Sequence, residues 1–561
     1  MPENPSVRQL LANFSHPILE ALIALIDREG EKAMYGGFPA LEDDTFMVRG
    51  AIMQAVATLA IYDQKTGDLR FADNLRRMSS FSSLFIGQPT KTWGKLKLLM
   101  GLSDLMDAGL LASVSPEAIA IYRQASDYSD FLDKETLFLH GLPTNYYHVA
   151  MACAAYREKL GWENEGMADR IRDKILGVMQ DHSSEGWSDE QPPHGRFDTY
   201  SINVPMELVP PLMQTGHEVP PSALENLRKA ALVCLQLRNP RGDGFPYGRS
   251  LAVHGDLSPV EVLSTALELG LIAEADRPHA IAYIGQCIRK IREFWYDPEL
   301  GFLNIWLKGR ATNEYRNISR ILSVNVETHV KLLAALAAAE KLGYADLPLT
   351  EEMGEMPKKW ACEEIIFDRQ RDKMRALYLL RKGDLLFALP LIGGGRRFLH
   401  AAYLPFPAMP RLLEAPQDHP IPFLTPHYIL ADGRLTLPAG FYESIQVEQG
   451  EDRVVITARG RLSLSDPPRL GGNPEANAPY TAVYTFAGSS VSAQFDTEAE
   501  VASVKMLYAG DAYVEGAGFD TAEPLDVSEQ KYHTPHGAPV RGMQWTGKNA
   551  RVGYTVTISG F

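Results

Sequence analysis

Four residues in the first half of the chain carry groups able to move a proton and hold an anion: Asn145, His194, Tyr200 and Arg249. They follow one another at steps of 49, 6 and 49 residues. The reaction such a set suits is cleavage of the 4-O-glycosidic bond of a uronic acid by β-elimination. That reaction removes the weakly acidic proton at C5, next to the carboxylate. The carboxylate must be neutralised, a base must reach C5, and the leaving oxygen must receive a proton. An amide or a cation stabilises the developing enediolate. A tyrosine whose pKa is lowered by a nearby arginine can act as base and then as acid. A histidine can take either role or orient the sugar.

A second chemistry competes with the first. Inverting glycosidases hold two carboxyl groups about 6.5–9.5 Å apart with a water between them. Asp189, Asp198, Glu207, Asp243, Asp256 and Glu261 offer such pairs, and on this reading Asn145 and Arg249 bind the uronate carboxylate. Tyr247 rivals Tyr200 as the base, since it stands two residues before Arg249 in Phe-Pro-Tyr-Gly-Arg. His148, Trp187, His254 and His400 complete the set as sugar-binding candidates, and Trp93, Trp295 and Trp306 are further aromatics near helix ends. Each residue also has a plainer reading. Asn145 fits a helix cap, Tyr200 a core aromatic with a satisfied hydroxyl, and Arg249 a structural ion pair. His329, after Asn325 and Glu327, reads as buried polar structure.

These groups sit in three polar segments: Pro-Thr-Asn-Tyr-Tyr-His at 143–148, the stretch 185–203, and Asp-Gly-Phe-Pro-Tyr-Gly-Arg-Ser at 243–250. The elements that must position them are helices. Before about residue 360 apolar residues recur at three and four spacing. The pattern predicts helices near 6–27, 45–62, 71–84, 94–109, 116–125, 145–160, 164–180, 203–214, 222–238, 258–273, 277–296 and 320–342. Chemistry-bearing loops after every second helix point to a closed toroid of helical hairpins. After about 363 the period drops to two, as in Arg-Val-Val-Ile-Thr-Ala and Tyr-Thr-Ala-Val-Tyr-Thr-Phe, which predicts an antiparallel β-sandwich. The fold expected is therefore multidomain, an (α/α)6-type toroid over 1–345, a linker over 346–362 and a sandwich over 363–561. The Pro-rich segment 405–425 reads as an ordered loop that returns to cover the toroid cleft.

At 561 residues the chain is too long for one core. A net charge of −15 argues against a nucleic-acid partner. No uninterrupted apolar run reaches the length of a membrane span, and the N-terminus lacks the basic-then-apolar order of a secretion signal. Cytoplasmic residence is the expectation. Cys153, Cys234, Cys287 and Cys362 are widely spaced among apolar residues and read as buried free thiols. No metal-ligand spacing is present, so no metal or cofactor is expected. Oligomeric state is not encoded in any feature of the sequence.

The order Asn145, His194, Tyr200, Arg249, with the Gly-Trp-Ser-Asp lead-in at 186–189, resembles the catalytic tetrad of the chondroitin and hyaluronate lyases. The segments Thr-Asn-Tyr-Tyr-His, Gly-Trp-Ser-Asp and Phe-Pro-Tyr-Gly-Arg-Ser are also similar to a broader heparinase-like toroid family that contains β-glucuronidases. The resemblance implies a helical toroid followed by antiparallel β structure. It makes Asn145 the carboxylate neutraliser, His194 and Tyr200 the proton-transfer pair, and Arg249 the activator of Tyr200. The His–Tyr gap is shorter than in the lyases, and the β region is smaller. The function implied is a lyase acting on uronate-containing glycans; an exo-acting glucuronidase and a non-catalytic glycan-binding protein are the alternatives.

Overall fold

The computed structural model describes residues 4–41, 47–87, 90–190, 192, 195–248, 250–305, 321–369, 374–392, 404–414, 423–439, 442–464, 475–510, 514–518, 528–534, 536–548 and 550–558. Six helices form a ring: Val48–Thr66, Thr92–Asp107, Asn145–Lys159, Thr199–Thr215, Val253–Glu268 and Ile321–Leu342. Each contacts the next, and the last contacts the first. Their sequences explain the position. Val149–Arg157 and Val253–Val260 are buried without a break, so these helices meet neighbours all round. A second set packs against them: His16–Glu29, Phe71–Ser80, Met167–His182, Pro221–Gln236 and Arg277–Lys290. In Met167–His182 the buried residues are Met167, Ala168, Ile171, Ile175 and Met179. That single stripe marks a helix with one face inward and the other in water.

The segment Val7–Lys32 is long and apolar enough to cross a membrane by length and composition, which the sequence pattern does not anticipate. Within the fold 61% of its apolar window is buried. Its helices pack on Val48–Thr66 and Ile321–Leu342.

The last ring helix ends at Leu342 and the first strand of the β region starts at Ala361. Ala361–Asp368, Arg375–Lys382 and Leu385–Leu391 form a three-stranded antiparallel sheet. The other strands of this region form one eleven-stranded sheet. Its central pair, Arg453–Leu464 and Glu475–Ala487, sets Val454 opposite Phe486 and Ile456 opposite Tyr484, all buried.

The small sheet joins the two halves. Side chains alternate faces along a strand, yet Arg375–Arg381 is buried throughout. Ala376, Tyr378 and Leu380 belong to the core shared with the eleven-stranded sheet. Leu377 and Leu379 belong to the core of the ring. A strand with two buried faces is apolar at every position, which is why Ala-Leu-Tyr-Leu-Leu lacks polar alternation.

A further contact brings the β region back to the helices. Arg411 lies 4.0 Å from the ring centroid of Phe294. His536 pairs with Glu414 at 2.5 Å and its ring lies 5.6 Å from that of Trp295. The first part of the Pro-rich segment thus meets the π-helical turn Ile291–Trp295; residues 415–422 lie outside the described residues.

Candidate functional site

Two ring helices start earlier than the apolar spacing places them. The apolar spacing places the starts near 203 and 258, next to Pro205 and Pro259, and proline favours the first helical turn. The helices begin instead at Thr199 and Val253, with both prolines inside. Asp198 supplies the reason for the first. Its carboxylate accepts the Tyr200 N–H at 2.8 Å, and a capping box with Ser201 closes the turn. Tyr200 therefore stands in the first turn of a ring helix, as does His254.

Pro259 has a second effect. Having no N–H, it leaves the carbonyl of Gly255 without its helical donor. The Phe245 N–H takes that carbonyl at 3.1 Å, which docks the 243–250 segment on the helix. The approach excludes side chains, because a Cβ on Gly244 would lie 1.9 Å from the Gly255 oxygen. The segment then enters the helix through Ser250 and Ala252, both left-handed with φ of 61° and 62°. Such non-glycine geometry costs roughly 1–2 kcal/mol per residue and persists only where the surroundings impose it.

The three polar segments come together. Thr144 donates its N–H to the Glu190 carbonyl at 3.1 Å and its hydroxyl to the Asp189 carbonyl at 2.5 Å. The Tyr200 and Ser250 hydroxyls are 2.8 Å apart. The Tyr247 hydroxyl donates to the Phe197 carbonyl at 3.2 Å. The starts of Asn145–Lys159, Thr199–Thr215 and Val253–Glu268 accordingly share one end of the ring. The positive ends of three helix dipoles make that end favourable for an anion.

Asn145 does not cap its helix. The cap residue is Thr144, and Asn145 is the first helical residue. Its side chain is 1% exposed, and Oδ1 has no hydrogen-bond partner. One turn on, His148 is equally buried, and its ring nitrogens make no hydrogen bond of full geometry, only weak contact with the Thr144 and Asn145 backbone. Burial lowers its pKa to about 4, against a weaker upward pull from the Thr144 and Asn145 backbone. His148 is thus neutral near pH 7. A buried polar atom without a partner costs about 1–3 kcal/mol, and here two under-partnered side chains lie side by side.

The 185–198 stretch is held from below by the small sheet. Trp187 donates its Nε1–H to the Ile366 carbonyl at 3.1 Å and packs edge-on against Phe367. It is 4% exposed, so the structure places it in the joint between the halves and not on an open sugar-stacking face. Phe197 stacks flat on Phe367 with centroids 5.0 Å apart. Asp189 accepts the N–H groups of Gly195 and Arg196 at 2.8 and 2.9 Å, which closes the turn. Glu190 is 1% exposed, with Oε2 3.1 Å from Arg196 Nε. Asp198 Oδ2 is 4.0 Å from the same nitrogen.

Other carboxylates of the hydrolytic set are also occupied. Lys290 Nζ lies 2.7 Å from Asp243 and 2.9 Å from Asp256, and Trp295 donates to Asp256 at 2.7 Å. Burial opposes ionisation of Asp243, but Lys290 and Arg241 outweigh it and hold its pKa low. Glu261 pairs with Lys331 at 3.1 Å. Burial, then the charge of Glu261, pushes Glu207 well above the usual carboxylate range. Burial also pushes Tyr247 well above the usual phenol value, with Asp198 adding to it, so this phenol resists ionisation. His254 Nδ1 sits 3.0 Å from Glu327. Buried His329 pairs with Ser15 at 3.0 Å. Trp93 meets Tyr146 edge-on and Trp295 is fully buried. His194, Arg249, Trp306 and His400 lie outside the described residues.

Glu190, Arg196 and Ser250 stand among these groups without having been assigned a role from the sequence. Glu190 and Arg196 flank Pro192-Pro193 in the sequence, and their opposite charges there are the signal available. Ser250 had none, because its meeting with Tyr200 depends on the left-handed turn. The four cysteines are free, and burial raises the Cys153 thiol to about 12. Among the described residues no group of three or more His, Cys, Asp or Glu is placed to hold a metal ion.

No protein-family model and no curated protein matches the chain. Among solved structures it is similar to heparinase III, at 9% identity and a TM-score of 0.49, covering 100% of this chain and 88% of that one. It is similar to a heparan sulfate lyase from Pedobacter heparinus at 10% identity and a TM-score of 0.39, covering 99% and 87%. A family 88 glycosyl hydrolase from Bacteroides vulgatus aligns with 59% of this chain and 99% of its own, at 10% identity and a TM-score of 0.36.

Proposed function

We propose that this chain is a lyase that cleaves uronic-acid-containing oligo- or polysaccharides by β-elimination, at one end of an (α/α)6-type toroid. On this reading residues 1–345 are the catalytic domain, 346–362 a linker and 363–561 a β-sandwich domain. The observation that carries the reading is the Asn145 side chain, which is 1% exposed, has an unpartnered Oδ1 and begins a ring helix. Oδ1 can only accept, so the group that meets a carboxylate is the Nδ2 amide of the same side chain, which donates. The helix N-terminus beside it favours the same negative charge.

In the reaction, Asn145 hydrogen-bonds the uronate carboxylate as charge moves onto it. The Tyr200 phenolate takes the C5 proton. The electron pair left at C5 forms the C4–C5 double bond as the C4–O bond breaks. The proton then passes to the leaving oxygen, completing the cycle. His194 is the proton-transfer partner and Arg249 the activator of Tyr200. The competing exo-glucuronidase needs two available carboxyl groups. Asp189, Asp198, Asp243 and Asp256 are engaged by backbone N–H groups or by Lys290, Glu190 by Arg196 and Glu261 by Lys331. Glu207 keeps an unpartnered oxygen, but one carboxyl group cannot serve as both acid and base, which favours elimination.

The test is incubation with a panel of uronate oligosaccharides. A lyase product gains ultraviolet absorbance from the double bond conjugated to the carboxylate. Release of saturated uronate without that gain overturns the lyase in favour of the hydrolase.

A further inference from the structure

Below the loop end, the ring helices carry polar residues where an apolar core is expected. On Thr199–Thr215 they continue from Tyr200 to Asn203 and Glu207, at spacings of three and four. On Val253–Glu268 they run His254, Ser258, Glu261. Such spacings keep one helix face in register.

The contacts locate these faces. Lys97 Nζ lies 3.6 Å from Glu327, although their helices are not neighbours in the ring, since Val48–Thr66 stands between them. Lys331 and the burial-raised Glu207 also influence one another, with Val253–Glu268 between their helices. Pairs that skip a helix meet across the axis. Solvent reaches them, because Glu261, Glu327 and Lys331 side chains retain 26%, 18% and 14% exposure. The ring is polar inside, and part of that interior is open to solvent.

Two atoms in this interior are buried without partners: Asn203 Oδ1 and Glu207 Oε2. The other end of Asn203 donates to Ser258 at 2.9 Å. The charges around them balance, with Lys97 and Lys331 against Glu261 and Glu327, so no net field selects an ion. What remains open is an amide acceptor and a carboxyl group kept neutral, which can donate or accept. That combination suits a hydroxyl-bearing, uncharged surface.

We propose that Asn203 and Glu207 form the floor of a sugar subsite inside the ring, which takes the hydroxyl face of the terminal unit and makes the enzyme exo-acting. The proposal rests on the uronate-glycan reading of the loop end. Asn203 and Glu207 lie about 4.5 and 10 Å along the helix from Tyr200, so a chain entering at the loops ends on this floor.

The experiment compares wild type, Asn203→Ala, Glu207→Ala and Glu207→Gln on a reducing-end-labelled uronate tetrasaccharide. Wild type should release terminal units only. The two alanine variants should raise KM about 10-fold each, the cost of one lost hydrogen bond to a buried partner, with kcat little changed. Glu207→Gln should recover most of the loss. The melting temperature of Glu207→Gln should not fall, whereas Asn203→Ala also loses the Nδ2 bond to Ser258 and is read by its KM; a purely structural role would lower the melting temperatures of both alanine variants and leave KM alone. Unchanged KM in both alanine variants, or internal cleavage by wild type, overturns the floor and leaves the lyase reading standing. If wild type cleaves nothing, the lyase reading falls. Calorimetric titration with glucuronic acid and N-acetylglucosamine then decides the floor: binding that the alanine variants lose upholds it, and no binding to wild type overturns it.

Discussion

Gly244 and Gly255 meet backbone to backbone, and a Cβ on Gly244 would stand 1.9 Å from the Gly255 carbonyl oxygen. The contact exists because Pro259 releases that carbonyl to the Phe245 N–H. Gly244→Ala is therefore expected to lose about 1–3 kcal/mol or more through forced overpacking. A urea or thermal midpoint equal to wild type would show that the segment relaxes freely.

Asn145 separates chemistry from capping. Since Thr144 holds the cap position and Asn145 Oδ1 has no partner, Asn145→Ala should leave the melting temperature nearly unchanged. Its kcat should fall by about 10²–10³, as for loss of one donor to a developing anion. A stability loss with kcat intact would return Asn145 to a structural role.

The two tyrosines should behave differently. Tyr200→Phe is expected to lower kcat/KM by about 10²–10⁴-fold, as loss of a general base and acid does. Tyr247 is held protonated by burial and donates to Phe197, so Tyr247→Phe should cost about 1 kcal/mol of stability and little activity. Steady-state kinetics beside denaturation curves check both. Reversed outcomes would move the base to Tyr247.

His148 makes stability depend on pH. Its folded pKa, about 4, lies below the ordinary 6.5, so the unfolded chain binds the proton first. The stabilising contribution is complete above pH 6.5 and is lost as pH falls toward 4, up to about 3 kcal/mol. His329 is shifted the same way, to about 3, so wild type alone cannot isolate the effect. The difference between wild type and His148→Gln can: the variant should lose less stability between pH 7 and pH 4.5. Parallel losses would remove His148 from the account.

Phe367 supports the site from the β region. It stacks on Phe197 and meets Trp187, so Phe367→Ala should cost about 3–5 kcal/mol. Protein that remains folded should also have lower activity, because the 185–198 stretch loses its base. Full activity in the folded fraction would show that the stretch keeps its shape alone.

Much of this was legible in the sequence, for physical reasons that differ by element. The ring helices carry long apolar periods, and their order along the chain follows from the loops. The three polar segments were recognisable as a group because no core accepts them. The starts at Thr199 and Val253 were displaced because apolar spacing begins only after the polar first turn of each helix, Thr-Tyr-Ser and His-Gly-Asp. The capping box at Asp198–Ser201 was readable and gave the better boundary. The polar stripes Tyr200–Asn203–Glu207 and His254–Ser258–Glu261 were present as spacing, but only closure of the ring gives them a common interior. The role of Trp187 was not legible, since a tryptophan among polar neighbours reads the same whether it faces sugar or a strand arriving from residues 361–368.

The small sheet formed by Ala361–Asp368, Arg375–Lys382 and Leu385–Leu391 gives one face to each core. Neither half therefore owns it. A gene truncated before residue 361 would yield helices with a raw apolar wound, and one beginning after 391 would leave the eleven-stranded sheet equally bare. Shuffling of either half between relatives has to carry these thirty-odd residues along as a matched seal. That requirement ties the history of the β region to that of the helices, even though Asn145, His194, Tyr200 and Arg249 all precede it in the chain.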